Sequence, residues 1–348
     1  MYFASDNAGP AHPKVIEALT RANEGYAMPY GDEPLMDSVR QKVRDIFEAP
    51  EAAVYLVATG TAANALILAT LTKPWETIFC SDMSHVHEDE CNGPEFFTGG
   101  AKLTLVPTDD AKMTPDTLRA AIEGEETRGV HGPQRGPVSI TNVTERSTVY
   151  SVAEIEALCA VAKSFNLPVH LDGARFANAV AACNCSPADM TWKAGVDAVS
   201  FGGTKNGLMG VECVIFFDPD KAWEFELRRK RAAQLFSKHR YLAAQMEAYL
   251  TDDLWLTMAR SANAACAKLV AGIEGAGGRC LWTPGANMAF MEWSRAGHQR
   301  LHEAGAAYYL WDGDLNNGPA DEPLPARLVC EWSSSDDNIE RFISLVAG

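Results

Sequence analysis

A single lysine placed just beyond a buried strand concentrates the chemistry of this sequence. Ala198-Val-Ser-Phe201 is a β-branched and aromatic run, Gly202 and Gly203 break it, and Thr204 and Lys205 follow. An ammonium is costly to desolvate, so a lysine in this position is either solvated on a loop or used as an amine. Upstream, the apolar run Pro168-Val-His-Leu171 ends in the same way, in Asp172, with Arg175 three positions on. Asp172 and Lys205 lie 33 positions apart, room for a strand, a crossover helix and the next strand. Both therefore belong at the carboxyl ends of parallel neighbours, where α/β sheets place their chemistry. Further back, the strand Ala53-Val-Tyr-Leu-Val57 leads into Thr59-Gly60-Thr61 and an apolar helical run to Leu71. Free amides at a helix start, with two hydroxyls beside them, make a phosphate cradle.

A carboxylate, an amine poised for carbonyl chemistry and a phosphate cradle are together what pyridoxal 5'-phosphate (PLP) requires. With these residues, and with Ser5-Asp6-Asn7, Tyr30-Gly-Asp32, His85, His131, His170-Leu-Asp-Gly-Ala-Arg175, Phe201-Gly-Gly-Thr-Lys-Asn206 and Arg327, the chain resembles the fold type I PLP enzymes of the aspartate aminotransferase superfamily. Within that group it is similar to the low-specificity L-threonine aldolases, and the likeness runs from near residue 5 to near 330. It implies that Lys205 carries PLP, Asp172 meets the ring nitrogen, His85 stacks on the ring, and Thr59, Gly60, Thr61 and Arg175 help to hold the cofactor. Ser5, Tyr30, His131, Arg175 and Arg327 are then the substrate contacts, with the arginines on the α-carboxylate. The implied reaction is retro-aldol cleavage of L-threonine or L-allo-threonine to glycine and an aldehyde. A histidine suits removal of the β-hydroxyl proton, and both His85 and His131 remain candidates. A β-eliminating lyase or aminotransferase using the same cofactor is the alternative, since fold does not decide chemistry. A PLP-binding scaffold without catalysis is disfavoured, because lysine, aspartate, phosphate loop and both arginines are all present.

These side chains need a scaffold, and the sequence provides one. Strands are expected near 53–57, 77–80, 102–106, 137–141, 168–171, 197–201 and 212–217, with helices near 61–72, 85–91, 114–123, 152–165 and 187–194. That alternation predicts a mostly parallel seven-stranded sheet covered on both faces. Residues 212–217 follow Lys205 too closely for a crossover helix and should pair antiparallel. Helical periodicity also appears at 13–22 and 35–47. From 241 a long helical stretch to 274, strands near 279–282, 287–292, 306–311 and 326–332, and a helix near 336–346 describe a smaller α+β unit. The expected division is a PLP-binding domain over 1–240, with an N-terminal arm, and a C-terminal domain over 241–348.

Composition narrows the partners. The net charge of −16 opposes binding to nucleic acid or an acidic membrane surface. The odd count of nine cysteines shows no zinc or redox spacing, which favours a reducing, cytoplasmic location. Met1-Tyr-Phe-Ala-Ser5 lacks the basic and apolar regions of a signal peptide, and no apolar stretch is long enough to span a bilayer. No dinucleotide fingerprint, Walker loop or GxSxG elbow occurs. His85-Val-His-Glu-Asp-Glu90 has metal-ligating types, but His85 and His87 would face apart on a helix, so no metal is expected. The basic run Leu227 to Arg240 lacks the glycine-rich turn common in the related aldolases, and no residue from it is assigned to the site. The resemblance further implies a homotetramer whose active sites share residues between subunits.

Overall fold

The structure is a computed structural model that describes all 348 residues. Eleven strands form two sheets: β1 Ala53–Val57, β2 Glu76–Ser81, β3 Lys102–Val106, β4 Gln134–Thr141, β5 Val169–Gly173, β6 Ala198–Gly202 and β7 Glu212–Phe216 in the larger, and β8 Arg279–Cys280, β9 Met288–Ser294, β10 Tyr309–Leu310 and β11 Pro323–Val329 in the smaller. The large sheet has the order β1-β7-β6-β5-β4-β2-β3. All its pairings are parallel except those of β7, which runs antiparallel to both β1 and β6, as its short connection from Lys205 requires. The small sheet is antiparallel throughout, in the order β10-β11-β9-β8. No helix is long and apolar enough to cross a membrane.

Strands β1, β5, β6 and β7 are buried along their whole length, which explains their continuous apolar reading. Strand β4 begins three residues earlier than the sequence suggests. Pro137 has no N–H for the ladder, and the register against β2 shifts there, between Thr77 and Phe79. A Cβ on Gly136 would come within 2.6 Å of the Thr77 carbonyl oxygen, so glycine is required for the two backbones to approach.

Several helices depart from expectation. The helix near 85–91 is a single turn, His85–Glu88, and a second short helix, Gly93–Thr98, follows it. The stretch 241–274 is two helices, Arg240–Leu250 and Leu254–Gly275, because Asp252 and Asp253 adopt left-handed backbone angles between them. Helices at Phe176–Cys183, Ala222–Arg231 and Arg295–Glu303 were not expected. The first caps the turn out of β5 with an almost wholly apolar surface, and the second carries four of the six Lys and Arg residues of the basic run. The main core lies under the large sheet and extends through Leu242 to Ala259, whereas the small sheet has its own core of 17 buried residues, which includes Phe3 from the arm.

Candidate active site

Asp172 of β5 lies opposite Ser200 of β6, so the carboxyl ends of these parallel neighbours open on the same edge. Lys205 sits just beyond, on the one-turn helix Thr204–Asn206, and that turn is pinned from two sides. Gly203 N donates to Glu212 Oε2 at 2.7 Å, and the Asn206 amide donates to Tyr249 Oη at 2.7 Å and to the Trp255 carbonyl at 2.9 Å. Burial, and then the nearby Arg175 guanidinium, push the Lys205 ammonium down from its usual range, and Lys205 makes no ion pair that would offset this. Such an amine gives up its proton more readily than an exposed lysine does.

The carboxylate opposite is held in a fixed orientation. Asp172 Oδ1 accepts from Ala174 N at 3.0 Å, and Oδ2 accepts from Asn64 Nδ2 at 2.9 Å. Asn64 is fully buried and also donates to Glu90 Oε1 at 2.9 Å, while its own oxygen accepts from Ser200 Oγ at 2.8 Å. Glu90 Oε1 in turn lies 2.9 Å from His85 Nδ1, and this hydrogen bond raises the imidazole pKa despite burial. A chain of polar contacts therefore links Asp172 to the ring of His85. The backbone N–H of His85 is bonded, at 2.7 Å, to Oε1 of Glu145, whose carboxyl is pushed up to about 7 by burial. The Glu145 Oε2 atom is buried without a partner.

Two adjoining cavities share His85 and Lys205 as walls. The inner one, about 60 Å³, also touches Asn64, Glu145, Asp172 and Arg175; the outer one, about 240 Å³, also touches Asn7, Thr59, Thr204 and Glu212. Gly60 and Thr61 line both, at the start of the Gly60–Leu71 helix, where Thr59 Oγ1 caps Ala62 N at 3.2 Å. The first amides of that helix have no intrahelical acceptor. Thr204 Oγ1, buried and unpartnered, faces the same space, and a Cβ on Gly60 would meet nothing within 4 Å. Free amides, an orphaned hydroxyl and an amine around one cavity, with a carboxylate deeper in, fit a phosphorylated pyridine aldehyde. A larger groove of about 650 Å³, between the Phe176–Cys183 and Leu254–Gly275 helices, contains none of these groups.

The structure thus brings Lys205, Asp172, His85, Thr59, Gly60, Thr61 and Arg175 together. Arg327, half-buried on β11, is close enough that Arg175 and Asp6 affect its ionisation, and its Nε lies 3.1 Å from Met288 Sδ with no carboxylate partner. Four of the expected site residues are placed differently from the rest within this chain. Arg175 is not a free clamp: its Nε and Nη2 are taken by Asp6 at 2.7 and 3.0 Å, which leaves Nη1. Ser5 does not line the cavity; its Oγ accepts from Asn7 N at 3.1 Å, and Asn7 forms the wall instead. His131 precedes β4, at the end of the sheet opposite Asp172, about 25 Å away along an eight-residue strand. Tyr30 is exposed on a loop tied to Ser237 and does not line either cavity. Asp6 and Thr204 lie inside the quoted motifs without a role assigned to them, and Asn64, Glu90, Glu145 and Glu212 are the residues that motif reading leaves unassigned. Asn64 and Glu90 did carry a signal, each being a polar residue in an otherwise structured run.

A mostly parallel sheet with a lysine after one strand, an aspartate at the end of its neighbour and a phosphate-type helix start defines the fold type I class of PLP enzymes. The sequence is matched by the family model described as Beta-eliminating lyase over residues 2–303, and the chain belongs to that family. It is 38% identical to a low specificity L-threonine aldolase of Pseudomonas aeruginosa, over 99% of this chain and 98% of that protein. It is 36% identical to a protein of the same description from a Pseudomonas species, over 98% and 95%. Among solved structures, a threonine aldolase of Leishmania major superposes with a TM-score of 0.92 at 24% identity, covering 99% of this chain and 98% of that one. A structure of SPT with PLP superposes with a TM-score of 0.72 at 16% identity, over 100% and 86%.

Proposed function

We propose that the chain is a PLP-dependent aldolase that cleaves L-threonine and L-allo-threonine to glycine and acetaldehyde. The observation that carries this reading is the half-buried Lys205, without an ion pair, sharing a cavity with Asp172 and His85. The two full-length relatives described as L-threonine aldolases support the choice of reaction. When bound, PLP supplies an electron sink for the pair released as a bond at Cα of the amino acid breaks.

The chain's own residues do the rest. Lys205 contributes its amine, and Asp172, fixed by Ala174 N and Asn64, stabilises a positive ring nitrogen. Thr59, Gly60, Thr61 and Thr204 hold the phosphate. Arg327, with the remaining Nη1 of Arg175, grips the α-carboxylate and so orients the Cα–Cβ bond for cleavage. The β-hydroxyl proton passes to His85 Nε2, directly or through water, and Glu90 at Nδ1 makes that nitrogen more basic.

Three finer readings accompany it. The division into residues 1–240 and 241–348 is supported by the separate core of the small sheet. A cytoplasmic location is supported by nine free cysteines. A homotetramer with shared sites is supported by exposed Tyr26, Met28, Tyr30, Val130 and Phe236, and in such an assembly Tyr30 and His131 are available to another subunit's cavity. Light scattering tests the assembly, and a mass of 37.7 kDa in solution would refute it. Incubation with PLP and L-threonine tests the reaction. Glycine and acetaldehyde in equal amounts are expected; 2-oxobutanoate and ammonia would identify a β-eliminating lyase instead.

A further inference from the structure

Arg146 follows Glu145 on the loop that leaves β4 and reaches across to the small sheet. Its Cζ lies 4.4 Å from the ring centroid of Trp282, 5.2 Å from that of Trp311 and 5.6 Å from that of Phe290. The two indoles meet the Phe290 ring edge-on, at 5.4 and 4.9 Å, and form a concave aromatic wall around the guanidinium. The loop is anchored there: Gly285 N donates to the Ser147 carbonyl at 2.8 Å, and Ser147 Oγ donates to the Met288 carbonyl.

Arg146 makes one side-chain bond, Nε to Met83 Sδ at 3.4 Å, two residues before His85. Its Nη1 and Nη2 edge has no carboxylate acceptor, in a chain with 46 acidic and 30 basic residues. The acids nearest to it do not close on it. Glu145 accepts from His85 N, and Glu88 lies 3.6 Å from His87. Phe290, part of the wall, is directly opposite Arg327 in the β9–β11 register, and Tyr309 flanks Arg327 on β10. The face of the small sheet that carries Arg327 therefore also packs, through Phe290, against the Arg146 guanidinium, and neither arginine has a carboxylate partner.

In the reading above, Arg327 and the remaining Nη1 of Arg175 already serve the α-carboxylate. A further guanidinium, with its faces over aromatic rings and its planar donor edge open, matches another carboxylate and not an alkyl group. We propose that Arg146 is a specificity-determining residue that receives a carboxylate on the β-substituent, so that β-hydroxy-α-amino diacids, such as 3-hydroxy-L-aspartate, are preferred substrates. This rests on the aldol reading above. In the step, the hydroxyl proton leaves, the Cα–Cβ bond breaks, Cβ becomes the aldehyde carbon and Cα gains a proton. 3-Hydroxyaspartate thus gives glycine and glyoxylate, with no oxidant or reductant.

The test compares kcat/KM for threo-3-hydroxy-L-aspartate and L-threonine in the PLP-loaded wild type, Arg146→Met and Arg146→Lys. Methionine keeps an apolar stem against the indoles and removes the charge. The wild type should favour the diacid by roughly tenfold or more, the scale of one charge-assisted contact. Arg146→Met should lower the ratio of the two kcat/KM values by roughly 10- to 100-fold, mainly through KM of the diacid, and Arg146→Lys should recover part of it. A wild type that cleaves the diacid no better than L-threonine overturns the proposal without any variant. So does a ratio that stays within about threefold in Arg146→Met, the result expected if Arg146 only packs. Cleavage of neither substrate refutes the aldol reading, and this inference with it.

Discussion

Asp172 accepts an N–H at each carboxylate oxygen, and this determines what an amide in its place would do. Asparagine offers one acceptor, so its NH₂ would face a donor, and the negative charge beside the ring nitrogen would be lost. Asp172→Asn should lower kcat by at least ~100-fold at saturating PLP, the scale of a lost preorganised contact. Steady-state kinetics with a circular-dichroism check of folding measures this, and near-normal turnover would show that another group serves the ring. Asp172 and Lys205 were legible in the sequence because each is a charged residue that terminates an apolar run. Their supporting residues were not. Asn64 and Asp172 are 108 positions apart, Asp6 and Arg175 are 169 apart, and only the folded sheet makes them neighbours. His131 shows the converse: a suitable residue type, placed by its strand at the wrong end of the sheet for its own chain's cavity.

At the scale of elements, β7 does more than close the sheet beside β1. Glu212, its first residue, is buried and holds the Lys205 turn through Gly203 N, and burial pushes its carboxyl up to about 7 from an ordinary 4.5. A group whose folded pKa is raised contributes stability that is complete below about pH 4.5 and is lost as pH rises through about 7. Urea midpoints of the cofactor-free wild type should therefore fall between pH 5.5 and 7.5. Glu212→Gln has no proton to lose and should show a shallower fall; Glu145, which titrates in the same window, keeps the slope from vanishing. Equal slopes would mean that Glu212 ionises normally. Sequence alternation revealed the seven strands and the antiparallel return of β7. It did not reveal the break at Asp252 and Asp253, because two left-handed residues with ordinary side chains leave the apolar pattern on both sides intact.

Across the whole molecule, the N-terminal arm joins the two sheets. Phe3 N bonds to the Ala307 carbonyl at 2.7 Å, Val329 N bonds to the Phe3 carbonyl at 2.8 Å, and three residues later Asp6 pairs with Arg175 beside β5. Arg175 holds the Asp6 carboxyl below its ordinary 3.8 against the opposing effect of burial, so the pair stabilises the fold above that pH and its contribution is lost on acidification. Asp6→Asn leaves a buried guanidinium without its charge partner and should cost roughly 3–5 kcal/mol in denaturant unfolding at neutral pH. A loss below about 1 kcal/mol, the range of exposed pairs, would show that solvent reaches Arg175. The arm, through Asn7, and the edge of the large sheet converge on one amine. Borohydride reduction of the PLP-loaded protein, followed by proteolysis and peptide mapping, tests that convergence most directly. The pyridoxyl group should be found on Lys205 and be absent from Lys205→Ala; its recovery on Lys193, Lys230 or any other lysine would contradict the site described.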